Sequence, residues 1–120
     1  MKLGPVIVMT PDLEAAAEFY RDALGLRLAH RTPDQLIFEL GGAALHIFRC
    51  EHAAGAEGHG RDAASVITFE VQSLSIEMER LRTHGVTFIH EKPARNEAAR
   101  LNYMAFVAPG GNVHELVERT

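Results

Sequence analysis

Two ionisable residues, His114 and Glu115, stand in the middle of the apolar stretch that follows a Gly-Gly turn in "APGGNVHELVERT". Another histidine, His46, sits in the similar stretch "GGAALHIFRC". A carboxylate and an imidazole in partly apolar surroundings can share a proton as general acid and base, ligate a divalent ion, or anchor the polar end of a small molecule. Glu70, in "SVITFEV", either points at the same ligand or caps a strand end. The other candidates read more plainly. His114 is expected as a core or edge histidine, and His52 and His59, in a Gly/Ala-rich loop, read as part of a mobile lid or, by preference, as residues with no role. Cys50 has no activating base or helix N-terminus beside it in sequence, so it is not read as a reactive thiol. Glu115 also has a structural alternative, as a rim carboxylate paired with an arginine such as Arg100.

The elements that must position these residues follow from pattern. "GPVIVM" reads as a strand, and "TPDLEAAAEFYRDALG" as a helix capped by Thr10 or Asp12, with Leu13, Ala17, Tyr20 and Leu24 on one stripe and Gly25 as its stop. "LRLAHR", "QLIFEL" and "AALHIFR" form a three-strand meander. The stretch "CEHAAGAEGHGRDAA" has no apolar period and reads as a loop. Strand "SVITFEV", helix "SLSIEMERLRTHG", strand "VTFIHE", polar stretch "KPARNEAA", strand "LNYMAFV", turn "APGGN" and strand "VHELVE" follow.

The second half repeats the first. Val6/Ile67, Val8/Phe69, Leu13/Leu74, Ala17/Met78 and Tyr20/Leu81 are 61 apart, while Gly25/Gly85 and Leu28/Phe88 are 60 apart, a one-residue difference at the helix exit. An offset of 69 pairs the Gly41-Gly42 turn with Gly110-Gly111, and Leu45, His46 and Ile47 with His114, Glu115 and Leu116. Two such units, each too small to bury its own apolar face, are expected to pack together. The chain therefore reads as one domain of two β-α-β-β-β modules, at about 1–50 and 64–120, joined by a loop at 51–63.

Strand alternation assigns faces. Val6, Val8, Ile67, Phe69, Leu45 and Ile47 go to the side covered by helices. The other side receives Pro5, Ile7, Met9, His46 and Phe48 from the first module, and Val66, Thr68, Glu70, Val113, Glu115 and Val117 from the second. A mostly apolar face with a few ionisable groups is the composition of a ligand cavity, expected to be lined by Ile7, Met9, Phe48, Thr68, Met104 and Phe106.

Bulk properties agree with such a domain. A 120-residue chain, 47% hydrophobic and 23% charged, has an ordinary globular balance, and no apolar run approaches the roughly 20 residues that span a bilayer. "TPDLE" cuts off any signal-peptide core after "MKLGPVIVM", and a lone Cys50 leaves no internal disulfide, so a cytoplasmic location is expected. A formal charge of −4 with scattered Lys and Arg argues against nucleic acid, and no membrane partner is expected.

With these residues in place, "VIVMTPDLEAAAEFYRDALGLRL", the repeat at about 60 residues and the closing "GNVHE" together resemble the glyoxalase / bleomycin-resistance / extradiol-dioxygenase superfamily, the vicinal oxygen chelate proteins. The resemblance covers nearly the whole chain. It implies an α+β fold in which two βαβββ modules form curved mixed sheets around a cleft, in homodimers whose modules pair within a chain or between chains. In metal-using members it implies a divalent ion on four slots, which fall here on Pro5, Val66, His46 and Glu115. Proline and valine side chains offer no lone pair, and Ala108 stands where the family commonly has Asp before the turn Pro.

Three functions stand open. The first is metal-free binding of a small amphiphilic molecule, with His46 and Glu115 as polar anchors and no cofactor. The second is an enzyme, either a metal-free acid/base catalyst using His46 and Glu115 or a divalent-metal-dependent lyase or dioxygenase with a site rebuilt through Glu70. The third is an interaction module whose cleft is filled by its own side chains.

Overall fold

The computed structural model describes residues 1, 3–53, 55, 59 and 65–120. They divide into two compact units, Met1–Ala54 with Pro109–Asn112, and Gly55–Ala108 with Val113–Thr120. No helix among the described residues is long and apolar enough to cross a membrane.

Unit 1 contains β1 (Val6–Thr10), α1 (Leu13–Ala17) running on into a π-helical stretch (Glu18–Ala23), β2 (Arg27–Arg31), β3 (Gln35–Leu40) and β4 (Ala43–Arg49). The sheet order is β1-β4-β3-β2, with β1 parallel to β4 and the other pairs antiparallel. Asp12 is the helix cap, accepting the Ala15 N–H at 3.0 Å. The π-helical stretch explains the one-residue difference between the repeats. Leu24 N–H donates to the Phe19 carbonyl five residues back, so one extra residue is absorbed inside the helix and its buried stripe is kept. Leu13, Ala16, Ala17, Tyr20 and Ala23 are buried by that stripe, and the Tyr20 ring lies 5.7 Å from that of Phe38.

Unit 2 contains β5 (Ile67–Glu70), α2 (Leu74–Thr83), β6 (Ala94–Asn96), β7 (Leu101–Val107) and β8 (Val113–Arg119), in the order β5-β8-β7-β6. Ser73 caps α2 through the Ile76 N–H, and the Glu118 carboxylate of β8 accepts the Leu74 N–H at 2.5 Å, fixing the helix start on the sheet. The strand expected over "VTFIHE" is instead a single bridge, Phe88 opposite Phe106, held by Ile89 N–H to the Ala105 carbonyl and by Val107 N–H to the Thr87 carbonyl. The regular strand falls within the stretch expected to be irregular, at 94–96, against Leu101–Tyr103. Pro93 lies between the two segments and has no N–H to give a ladder, so the edge of the sheet is broken there.

Each helix covers one face of its own sheet: α1 packs on β3 and β4, and α2 packs on β7 and β8. The covered face of unit 1 holds Val8, Thr10, Leu36, Phe38, Leu45 and Ile47, all buried. In unit 2 it holds Met104, Phe106 and Leu116, with Met78 and Leu81 from α2. His114 belongs to this core, 2% exposed and edge-on to Phe69 and Phe106 at 5.5 and 5.8 Å. Burial pushes its imidazole down from 6.5 to about 4, against a smaller upward pull from the Val113 backbone.

The turn between β7 and β8 belongs to unit 1. Asn112 Nδ2 donates to the Met9 carbonyl and to the Pro109 carbonyl, both at 2.8 Å. Gly110 has φ +79°, and a Cβ there would lie 2.7 Å from Thr10 Oγ1 and 2.9 Å from Thr10 Cα and Cβ. Only glycine fits, on both conformational and steric grounds.

Two outcomes are expected from this packing. Gly110→Ala should lower stability by about 2–4 kcal/mol, because it adds a clash to the strained φ. Gly41→Ala, at φ +45° with nothing within 4 Å of the added carbon, should cost only about 1 kcal/mol. Urea unfolding of both variants checks this, and equal losses would refute the close-packing account. For His114, the unfolded imidazole takes up its proton near pH 6.5 and the folded one only near pH 4, so the stability held above pH 6.5 drains away as pH falls through that window. The loss is on the order of 3 kcal/mol. His114→Leu should therefore flatten the fall in unfolding free energy between pH 7 and pH 4.5, and an unchanged fall would show that other groups carry it.

Candidate functional site

The strand register brings the expected residues together within each unit. In unit 1, Ile7 pairs with His46 and His46 with Ile37, while Met9 pairs with Phe48. These side chains share the face that α1 leaves bare. Ile7 and Met9 are 56% and 55% exposed, and the His46 and Phe48 rings lie 6.3 Å apart. In unit 2, Thr68 pairs with Glu115 and Glu70 with Val117, on the face opposite α2. Glu70 does not point at Glu115 but forms an exposed ion pair with Arg119 at 2.8 Å.

Met104 and Phe106 need correction as expected lining residues. The register sets Ala105 opposite Glu115, and Met104 and Phe106 opposite Leu116 and His114, so both turn to the helix-covered face, where each is fully buried. "LNYMAFV" carries apolar side chains on both faces, and its alternation alone could not fix the phase.

His59 is the residue that sequence reasoning passed over. It approaches Glu115 from the loop, with Nε2 3.5 Å from Oε1, and the two side chains are only 12% and 19% exposed. The structural alternative for Glu115, pairing with an arginine such as Arg100, therefore gives way to an imidazole partner. Nothing local in sequence announces this contact, since 56 residues separate the two positions and the loop has no periodicity. Isolated carboxylates are costly to desolvate, and a facing N–H donor offsets that cost. His59 Nδ1 is buried without a partner among the described residues. A buried N–H without an acceptor costs more than an unprotonated ring nitrogen, so the imidazole proton belongs on Nε2, facing Glu115.

The four slots that the resemblance assigns to a metal do not fit one. Pro5 and Val66 have no side-chain donor atom, and the Glu115 carboxylate already faces His59. Among the described residues no group of three or more His, Cys, Asp and Glu is arranged to hold an ion. The remaining candidates are ordinary. Cys50 Sγ donates to the His52 carbonyl at 3.3 Å, and His52 is exposed beside Glu51. A polar cleft of about 700 Å³ lies by the start of α1 in unit 1. Its charged groups are engaged, Arg31 with Glu14, Arg49 with the Pro33 carbonyl and Asp12 with the Ala15 N–H.

Comparison with known proteins agrees with this architecture. The chain is 49% identical over 37 residues to metapyrocatechase 2 of Cupriavidus necator, a match that spans 31% of this chain but only 12% of that enzyme. A glyoxalase/bleomycin resistance protein/dioxygenase from Nocardioides is 26% identical, with a TM-score of 0.73 over 99% of this chain and 83% of its own. A genomically encoded fosfomycin resistance protein from Listeria monocytogenes is 16% identical and superimposes with a TM-score of 0.78 over 100% of this chain and 94% of its own, a likeness of fold alone. The two four-stranded mixed sheets, each with a helix on one face, are thus an α+β fold shared with these proteins. The family model of the Glyoxalase/Bleomycin resistance protein/Dioxygenase superfamily matches residues 2–116, and this chain belongs to that superfamily.

Proposed function

We propose that this chain binds a small amphiphilic molecule against the helix-free faces of its sheets without a metal ion, working in the cytoplasm as a homodimer. In unit 1 His46 serves as the polar anchor, with Ile7, Met9 and Phe48 as the surrounding surface, and in unit 2 Glu115 serves as the anchor beside Thr68. The observation that carries the reading is the exposure of Ile7 and Met9, side by side with His46 and Phe48 on one bare sheet face. Large apolar side chains left more than half in water forfeit on the order of 1 kcal/mol each, which a ligand recovers by covering them. Histidine and carboxylate groups beside such a surface give a ligand orientation. The donor set at the metal slots supports a metal-free site, since two of the four positions cannot ligate and Glu115 has an imidazole facing it.

Titration with 1-anilinonaphthalene-8-sulfonate, followed by fluorescence, is expected to give saturable binding. Ile7→Asp and Met9→Asp should each weaken it at least tenfold while leaving thermal unfolding within a few degrees. Elemental analysis after dialysis against Ni²⁺, Zn²⁺, Mn²⁺ and Fe²⁺ should find less than one ion in ten chains. A stoichiometric ion with a raised melting temperature would overturn the metal-free reading, and dye binding indifferent to Ile7 and Met9 would overturn the binding surface.

A further inference from the structure

The geometry points to a ligand group for the His59–Glu115 pair: a primary carboxamide or a lactam, whose carbonyl accepts from His59 while its N–H donates to Glu115. This inference rests on the small-molecule reading above and specifies the chemistry of one of its anchors.

His59 Nε2 and Glu115 Oε1 lie 3.5 Å apart. That separation is within reach of an ion pair but longer than the 2.7–3.2 Å of a well-formed N–H···O hydrogen bond. Neither group is saturated by the other, and both are largely withdrawn from water. With the imidazole proton on Nε2, the pair presents one donor beside one acceptor. The complementary group must present an acceptor beside a donor at similar spacing. In an amide, the oxygen and nitrogen share one carbon and lie about 2.2 Å apart. Two hydrogen bonds of ordinary length from these atoms diverge slightly to meet a pair 3.5 Å apart.

The N–H must lie on the same side as the carbonyl oxygen for both bonds to form. Primary amides and lactams satisfy this, whereas an open-chain secondary amide in its trans form turns its N–H away. An ester has no N–H, and a carboxylate would set a negative charge against Glu115. Discrimination therefore comes from the unpaired acceptor that each wrong ligand leaves on the protein. The surroundings suit a group of this kind on an apolar body, for Ala105 and Thr68 are the strand neighbours of Glu115 on the same face.

The test uses four probes with one ring system: 2-naphthamide, N-methyl-2-naphthamide, methyl 2-naphthoate and 2-naphthoate. Each is titrated into the full ¹⁵N-labelled chain and followed by amide chemical shifts. 2-Naphthamide should bind at least tenfold more tightly than the other three, with the largest shifts around Glu115 and Thr68. His59→Phe and Glu115→Leu should each bring the amide and the methyl ester within twofold of one another. The loop substitution His59→Phe keeps the test open if Glu115→Leu unfolds. Equal binding of amide and ester by the unaltered chain overturns the inference and leaves the binding reading intact. So does a preference that survives both substitutions. If none of the four probes binds, the small-molecule reading fails and this inference fails with it.

Discussion

The fold depends on parallel pairing between the first and last strand of each unit, β1 with β4 and β5 with β8. Parallel neighbours cannot be joined by a tight turn, so a helix and two further strands must lie between them in sequence. The helix then has one face of the sheet to cover, and its own stripe pays for the long closure by burying Tyr20 against Phe38, or Leu81 and Met78 in the second unit. The same pairing decides where the ionisable residues stand. His46 falls beside Ile7 and Glu115 beside Thr68 because Leu45 and His114 must lie in register with Val6 and Ile67. The ionisable residues His46 and Glu115 thus stand on the face that the helices do not cover.

Much of this was readable from residue order. The offset of 61 between the first strands and of 69 between the last strands already specified equivalent pairings, and the register repeats them residue for residue. Even the one-residue discrepancy between the helices had a structural counterpart in the π-helical stretch at Glu18–Ala23. What pattern could not supply was phase and distance. A strand apolar on both sides, such as Leu101–Val107, gives no alternation to read, which is how Met104 and Phe106 came to be expected in the lining. Period likewise misplaced the edge strand of unit 2, since "VTFIHE" has the composition of a strand and only the chain path around Pro93 breaks it.

The site shows the same division. The strand faces of His46 and Glu115 were legible because the repeat duplicates their position, whereas the His59 contact is tertiary and leaves no trace in spacing. Membership of the superfamily rests on a match over residues 2–116, nearly the whole framework. A family assignment of this kind speaks to the scaffold and leaves the chemistry to be read from the side chains on the bare faces.

The contact of Gly110 and Asn112 with β1 bears on how the chain can be divided. Four residues from late in the sequence complete the unit formed by the first 54. A cut in the intervening loop would therefore not yield two autonomous modules, because the N-terminal fragment would lack the turn that ties off Met9 and packs on Thr10. Fragments made at that point should be handled as complementing halves, and insertions would be poorly tolerated by the short turn 109–112.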